Sequence, residues 1–145
     1  MIQELLLLTK LSDIMTKPIV SVGNQEEFHV VWERMATYDI RHLPVIDHMG
    51  SVVGVITERS LYKIHSPRKL EDGSWYYDRE LLDGFILTKV MSQDPFTLRP
   101  DNTLADAMKA VIQFKYGCIP IVDKNNVPVG IITRNNIIKF FLNHA

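Results

Sequence analysis

The stretch "LPVIDHMGSVVGVIT", from Leu43 to Thr57, returns in altered form as "IPIVDKNNVPVGIIT", from Ile119 to Thr133. Residues 13–62 align with residues 89–138 at a constant offset of 76 and without a gap. Many positions that differ keep their chemistry, since one aliphatic side chain replaces another. An offset kept over that length indicates an internal duplication.

Each copy predicts the same order of elements, β-α-β-β-α. A short β-rich run ("IVSV" or "FTL") precedes a stretch with apolar residues at three- and four-residue spacing, which predicts a helix. Asn24 is the predicted cap of that helix in the first copy, and Asp101 or Thr103 in the second. Two apolar strands joined by a turn follow, and a final helix begins at Thr57 or Thr133.

A unit of about fifty residues cannot bury both faces of a small sheet by itself. We therefore expect an α/β (α+β) fold in which two β-α-β-β-α units close on each other about a pseudo-twofold axis. The apolar strand residues should form the core: Leu43, Val45, Ile56, Ile119, Ile121 and Ile132.

The composition is typical of one compact soluble domain, with 145 residues, 46% hydrophobic and 23% charged. Sixteen basic against seventeen acidic residues leave no excess of positive charge, so nucleic acid is not an expected partner. The single cysteine, Cys118, cannot form an intramolecular disulfide, which favours the cytoplasm. The apolar run "ELLLLTKL" is too short to span a bilayer, so no membrane role is expected.

Four segments follow from the duplication. We assign residues 1–12 to a lead-in segment that packs on the core, 13–64 to the first repeat, 65–88 to a linker and 89–145 to the second repeat. The linker contains the aromatic cluster Trp75, Tyr76 and Tyr77. These rings either hold the linker on the core or form a lid or partner surface, and the first alternative is the more common use of linker aromatics.

No feature of the sequence predicts an enzyme. There is no nucleophile motif, phosphate-binding loop or dinucleotide fingerprint. The histidines show no metal-ligand spacing, so neither a catalytic residue nor a metal site is expected: His29, His42, His48, His65 and His144.

The pattern "DIMT…VSV…IRHLPVIDHMGSVVGVITERSL", matched by "KVMS…FTL…YGCIPIVDKNNVPVGIITRNNI", resembles a pair of CBS domains, the tandem arrangement called a Bateman module. The resemblance runs from Asp13 to the C-terminus. It implies a stand-alone regulatory sensor that requires no cofactor and whose candidate ligands are AMP, ADP, ATP or S-adenosylmethionine. It also implies a homodimer that acts on an effector protein of unknown identity.

Elementary chemistry agrees with a nucleotide site. Gly54 and Gly130 allow a ligand to approach the backbone closely. Thr57 and Thr133 precede helices, whose first amides and positive dipole end favour a phosphate. Simpler interpretations remain open for the same residues. The threonines also fit plain helix caps, the two glycines also fit close strand packing, and Arg41 also fits a solvated surface charge.

The resemblance implies that the threonine faces the phosphate or sugar and that an acidic residue three positions later binds the ribose diol. Ser60 and Asn136 occupy those positions here. Losing a charge-assisted hydrogen bond to a diol costs roughly 1.5–3 kcal/mol, so we expect weak to moderate affinity.

In the family each cleft draws on both repeats. The favoured cleft has an arginine three residues before the motif proline, and it consists of Thr16, Ile40, Arg41, Thr133 and Asn136. The weaker one consists of Thr57, Ser60, Ser92, Tyr116 and Gly117.

Two hypotheses remain open from the sequence. The first is a sensor that binds an adenine nucleotide or related adenosyl ligand and relays this to a partner protein. The second is a ligand-free dimerisation or docking module whose clefts have decayed, which the replacement of both acidic residues favours.

Overall fold

The computed structural model of the chain describes residues 1–17, 19–64, 68–69, 71–73, 75–76 and 87–144. The helices are α1 (Ile2–Leu8), α2 (Phe28–Tyr38), α3 (Glu58–Ile64), α4 (Leu87–Val90), α5 (Leu104–Phe114) and α6 (Arg134–Asn143), with a 3-10 turn at Leu11–Asp13. The strands are β1 (Val22–Gly23), β2 (His42–Ile46), β3 (Val52–Thr57), β4 (Arg68–Lys69), β5 (Trp75–Tyr76), β6 (Ser92–Gln93), β7 (Cys118–Val122) and β8 (Pro128–Thr133).

Residues that are contiguous in the sequence do not all fold together. The chain divides into a central unit and a C-terminal unit. The central unit comprises Val20–Met49 and Val53–Asp94, and the C-terminal unit comprises Met1–Ile19, Gly50–Val52 and Pro95–Ala145. The first residues of each copy therefore lie in the unit formed mainly by the other copy. Leu11 is buried in the core of the C-terminal unit, and Leu87 in the core of the central unit.

The central unit contains a four-stranded sheet in the order β1-β2-β3-β6. β1 runs parallel to β2, and β6 runs antiparallel to β3. α2 buries Phe28, Val31 and Met35, whose three- and four-residue spacing places them on one face of the helix. The helix ends at Tyr38 because Asp39 adopts the left-handed conformation, with φ of 51°.

The C-terminal unit contains the antiparallel pair β7 and β8, in which Ile119 lies opposite Ile132 and Ile121 lies opposite Gly130. α5 begins with a capping box: the Thr103 hydroxyl accepts from the Asp106 amide, and the Asp106 carboxylate accepts from the Thr103 amide. Each exchange satisfies an amide that the helix itself leaves without an acceptor.

Equivalent pairings recur in the two units. Val22 lies opposite Val45 in parallel register, and Leu98 lies opposite Ile121 in the same way. Both pairs keep the 76-residue offset. The predicted α/β fold with two β-α-β-β-α copies is therefore confirmed.

The six predicted core residues are all buried, with at most 1% of their surface exposed. Fully burying an aliphatic side chain of this size contributes about 1.5–3 kcal/mol. The predicted core is therefore confirmed for Leu43, Val45, Ile56, Ile119, Ile121 and Ile132.

The lead-in segment is tied to the C-terminal unit through its last residues. The Leu11 amide donates to the Asn102 carbonyl at 2.9 Å, and the Leu104 amide donates to the Thr9 carbonyl at 2.9 Å. Leu11 is fully buried, whereas α1 buries none of its residues. Leu11 is thus the buried anchor of the segment, and α1 also contacts α5.

One predicted helix cap is wrong. α2 begins at Phe28 with Glu27 at its N-cap, and no side chain caps it. Asn24 instead continues the strand pairing, since its amide donates to the Ile46 carbonyl at 2.8 Å. In the second copy Thr103, and not Asp101, is the cap.

The linker aromatics fall mostly outside the described residues. The backbone of β5 (Trp75–Tyr76) pairs antiparallel with β4. Tyr77 and the side chains of the cluster lie outside the part of the chain that the structure describes.

Candidate functional site

Thr133 ends β8 and caps α6. Its hydroxyl accepts from the Asn136 amide at 3.4 Å and donates to Asn136 Oδ1 at 2.9 Å. Asn136 Oδ1 also accepts from the Thr133 amide at 2.8 Å. Both side chains are half-buried. This reciprocal arrangement is a capping box, in which Asn136 takes the place usually held by Glu or Gln.

The side chain of Asn136 also reaches a distant segment of the C-terminal unit. Its Nδ2 donates to the Ile14 carbonyl at 3.2 Å and to Thr16 Oγ1 at 3.0 Å. An amide side chain has two donor hydrogens and two acceptor positions, and here each has a partner. Three residues predicted from the sequence or its resemblance, Thr16, Thr133 and Asn136, therefore meet at the start of α6.

The segment Ile14–Thr16 lies directly against β8. The Thr16 amide donates to the Ile131 carbonyl at 2.9 Å. Beside it the side chain of Met15 lies over Gly130, where a Cβ atom would collide with its sulfur. Gly130 therefore allows close approach, as expected, but the group that approaches is Met15.

The start of α3 in the central unit has the same frame with different side chains. The hydroxyls of Thr57 and Ser60 are 2.9 Å apart, and the Ser60 amide donates to Thr57 Oγ1 at 3.1 Å. β6 lies against β3, and Ser92 faces Val55 as Thr16 faces Ile131. Among the described residues no hydrogen bond joins Ser60 to residues 90–92.

Gly54 faces Met91 as Gly130 faces Met15, but its surroundings are tighter. A Cβ atom at Gly54 would meet the Met91 sulfur and would lie 2.7 Å from the Ser92 carbonyl oxygen. Sequence reasoning missed the methionines. The signal was present, because Met15 and Met91 are identical and keep the 76-residue offset of the two glycines.

Arg41 lies in the central unit with Ile40. Its side chain is 83% exposed, and its Nε lies 3.9 Å from the Glu58 carboxylate. The Glu58 amide donates to the Arg41 carbonyl at 2.9 Å, which holds the two backbones together. A shallow depression of about 330 Å³ lies here, lined by Arg41, His42, Thr57, Glu58 and Arg59. The structure thus brings Arg41 close to Thr57, a pairing that the sequence did not predict.

Tyr116 and Gly117, predicted for the weaker cleft, lie in the C-terminal unit. The Tyr116 ring stacks on Phe96 with 5.7 Å between centroids and lies 5.6 Å from the Phe114 ring. Gly117 follows it and is half-buried. These three aromatic rings form a small cluster within that unit.

The Cys118 thiol is poorly suited to redox chemistry. Burial raises the pKa of the Cys118 thiol to about 12, so the thiolate that redox chemistry needs is disfavoured. No cluster of three metal-ligating side chains occurs among the described residues. Within the same residues, no helix is long and apolar enough to cross a bilayer.

Sequence comparison identifies relatives along almost the whole chain. The family model of the CBS domain matches residues 11–66 and 87–143. A CBS domain-containing protein of Dictyostelium discoideum is 26% identical over 131 residues, which cover 89% of this chain and 88% of that protein. Other curated relatives are longer, since the chain spans only 32% and 23% of the next two.

Two solved structures share the fold. The CBS domain pair of protein MJ0100, in complex with 5'-methylthioadenosine and S-adenosyl-L-methionine, is 20% identical, with a TM-score of 0.78, covering 94% of this chain and 98% of that one. CBSX2 of Arabidopsis thaliana, in complex with AMP, is 23% identical, with a TM-score of 0.74 and the same coverage of both chains. Since the family model also matches both copies, this chain belongs to the CBS-domain family and contains a pair of CBS domains.

Proposed function

We propose that this CBS pair is a regulatory module that binds an adenine nucleotide or a related adenosyl ligand at the start of α6 and relays this to a partner protein. The observation that carries the proposal is the meeting of Thr16, Thr133 and Asn136 at that point. Three polar side chains from two distant segments converge where a helix begins, and the first amides of a helix lack acceptors within it.

The adenosyl group is favoured by the solved relatives. One CBS pair was solved with AMP, and another with 5'-methylthioadenosine and S-adenosyl-L-methionine. These ligands share an adenosine and differ in charge beyond the sugar. Among the candidates AMP, ADP, ATP and S-adenosylmethionine, the common adenosine is therefore the part that we assign to the site.

Each predicted residue takes a role from its chemistry. The amides at the start of α6 meet a phosphate, Asn136 meets the sugar, and Thr16 and Thr133 line the site. Arg41 is a proposed phosphate contact because its guanidinium is largely exposed and the neighbouring Glu58 carboxylate is as far as 3.9 Å away. Ile40 is a proposed apolar neighbour. A second, weaker set of contacts consists of Thr57, Ser60, Ser92, Tyr116 and Gly117.

Calorimetry with AMP, ADP, ATP and S-adenosylmethionine tests the ligand directly. Asn136→Asp should tighten nucleotide binding about tenfold, because a carboxylate accepts more strongly from sugar hydroxyls than an amide does. Arg41→Ala should weaken binding, most for ATP. Lys124→Ala, at an exposed turn residue, is the matched control and should bind as wild type. No heat for any ligand with either wild type or Asn136→Asp would refute the proposal.

A ligand-free docking module is the second candidate. The observation that favours it is that every hydrogen-bonding group of Asn136 already has a partner within the protein. A sugar can bind Asn136 only by displacing one of them. Failure of all four ligands in calorimetry would leave this candidate standing.

A homodimer is part of the proposal. The C-terminal unit exposes apolar side chains on α1 and α6, among them Leu8 at 74% and Leu142 at 71%. Exposed apolar surface of this kind favours association. Light scattering should therefore give about twice the chain mass of 16.7 kDa at micromolar concentration. A mass near that of one chain would contradict the dimer.

We propose no catalytic activity and no nucleic-acid or membrane partner, and we place the protein in the cytoplasm. The compartment rests on the single cysteine, and the effector protein has no identity beyond its role. A partner protein that is pulled down only when AMP is added, while the module stays dimeric, would support the relay. A partner captured equally with and without AMP would count against it.

A further inference from the structure

Asn136 does more than cap a helix, because it joins the start of α6 to a segment 120 residues earlier in the chain. We propose that Asn136 is a positioning residue whose Nδ2 clasps the segment Ile14–Thr16, and that a ligand sugar bound there opens the clasp. The clasp is the pair of hydrogen bonds from Asn136 Nδ2 to the Ile14 carbonyl and to Thr16 Oγ1. Its opening by ligand rests on the proposed function, whereas its presence in the free protein does not.

A ligand sugar must compete with groups of the protein for Asn136, because a side-chain amide can make only a limited number of hydrogen bonds. Asn136 Oδ1 accepts from the amide and the hydroxyl of Thr133, and Nδ2 donates to Ile14 and Thr16. All four positions are used, so a sugar hydroxyl must replace a partner. Replacing the exposed Thr16 hydroxyl is the least costly exchange, because water can satisfy it afterwards. This exchange opens the half of the clasp that holds Thr16.

The segment that responds is short, because it is anchored at both ends. At one end Leu11 is fully buried and its amide is bonded to the Asn102 carbonyl. At the other end the Thr16 amide is bonded to the Ile131 carbonyl. The Met15 amide donates to the Leu11 carbonyl at 2.9 Å between these anchors. Opening the clasp should therefore loosen residues 14–16 without releasing α1.

The central unit supplies the matched comparison. Ser60 stands at the position equivalent to Asn136 and binds only within its own helix start. The segment equivalent to Ile14–Thr16, residues 90–92, occupies the same place against β3. A serine side chain lacks the reach and the donors for a clasp, so among the described residues only the C-terminal unit couples its helix start to the incoming segment.

Three variants use this comparison. Asn136→Ser should retain a helix start, since Thr57 and Ser60 form one with these residue types. Asn136→Asp keeps the acceptors for Thr133 but removes both donors and places a carboxylate near the Ile14 carbonyl. Ser60→Asn is the converse change, because it offers an amide to residues 90–92 at the equivalent position.

Hydrogen exchange on the full chain, followed by mass spectrometry, tests the clasp without ligand. Asn136→Ser removes the two clasp hydrogen bonds, so exchange at Met15 and Thr16 should become roughly fivefold to a hundredfold faster. Exchange within α5 should not change, which separates local opening from general destabilisation. Ser60→Asn should slow exchange at residues 91–93. Unchanged exchange at Met15 and Thr16 in Asn136→Ser would overturn the clasp.

The opening of the clasp is tested with the same samples after adding saturating AMP or S-adenosylmethionine. Calorimetry shows whether the ligand binds. Ligand should speed exchange at Met15 and Thr16 in wild type and have no such effect in Asn136→Ser. If Asn136 had only a structural role, exchange at Met15 and Thr16 would become slower or stay unchanged when the ligand binds. If AMP binds and exchange at these residues does not rise, the opening is refuted while the proposed function stands. If no ligand binds, the proposed function and the opening both fail, and the ligand-free comparison still decides the clasp.

Discussion

The starts of α3 and α6 are two versions of one structure. In both, a threonine ends a strand, a polar side chain three residues later bonds back to it, and an incoming segment lies against the strand with a methionine over a glycine. They differ in reach. Asn136 extends to Ile14 and Thr16, whereas Ser60 bonds to Thr57 alone within the part of the chain that the structure describes.

The difference shows which features the two copies share and which they do not. The backbone pairing of the two copies is the same, since Thr16 faces Ile131 as Ser92 faces Val55. Strand register is held by buried side chains on one face, so a shift would expose the core. A half-buried polar side chain at the helix start is under no such constraint. Its replacement changes the hydrogen bonds between the helix start and the incoming segment.

The largest expected effect concerns the glycines under the methionines. Gly54→Ala would place a Cβ atom 2.7 Å from the Ser92 carbonyl oxygen, whereas at Gly130 the three nearest atoms all belong to the flexible Met15 side chain. We expect Gly54→Ala to lower the free energy of unfolding by about 3 kcal/mol and Gly130→Ala by about 1 kcal/mol. Urea unfolding measures both.

A control sharpens this prediction. Adding Met15→Ala to Gly130→Ala should cost less than the sum of the two single changes, because the truncated side chain no longer meets the new Cβ atom. Equal losses for Gly54→Ala and Gly130→Ala would show that the two close approaches are equivalent after all.

The second effect concerns the clasp. Asn136→Ser should lower the free energy of unfolding by roughly 1–3 kcal/mol, because the two clasp hydrogen bonds and the bond from the Thr133 amide are lost. Ser60→Asn should leave it unchanged or raise it by up to about 1 kcal/mol. Thermal unfolding of the two variants beside wild type measures the difference. A greater loss from Ser60→Asn than from Asn136→Ser would contradict the comparison.

The third effect concerns the long helices, of which α5 has a capping box and α2 has no side-chain cap. Thr103→Ala should lower the free energy of unfolding by about 1 kcal/mol, the usual cost of losing a threonine cap. Glu27→Ala, at the equivalent position in α2, should cost much less. Urea unfolding of both variants provides the test, and equal costs would argue against it.

The same capping box predicts a pH dependence. The Thr103 amide donates to the Asp106 carboxylate and lowers the pKa of that group below its usual 3.8. A lowered folded-state pKa contributes stability above the unfolded value, and this is lost as the pH falls through the folded value. The difference in melting temperature between wild type and Asp106→Asn should therefore shrink below about pH 3.8. A difference that stays constant from pH 6 to pH 2 would exclude a charge effect.

The smallest effect on stability is expected for Arg41. Its guanidinium is largely exposed and lies 3.9 Å from Glu58, and exposed ion pairs contribute little. Arg41→Ala should change the free energy of unfolding by less than about 0.5 kcal/mol. Calorimetry with ATP should nevertheless show weaker binding. A variant that loses stability and keeps its affinity would show that Arg41 is structural.

Much of the fold could be predicted from the sequence because the duplication presents the same pattern twice. Two copies of the apolar strand runs at one offset predicted the buried set, and Leu43 and Ile119 are both fully buried. The threonine before each final helix predicted where α3 and α6 begin. The cap of α2 could not be found this way, because Asn24 looks like a cap in sequence but its amide continues a strand.

The candidate site was only partly predictable. The sequence and its resemblance singled out Thr16, Thr133 and Asn136, but nothing in their spacing shows that an amide at 136 bonds to residues 14 and 16. The matching of Met15 with Gly130 was also hidden. Such contacts depend on where two distant segments cross, and spacing within either one carries no record of it.

The sequence by itself determined the duplicated unit, its elements and its core, because these follow from local periodicity and from the burial of apolar side chains. Only the tertiary structure decided that the first residues of each copy fold with the other copy, so that Leu11 and Leu87 enter opposite cores. Both copies carry interchangeable apolar faces, so pattern alone cannot say which one a given segment will cover. Backbone connection and packing make that choice, and with it they place Thr16 within reach of Asn136.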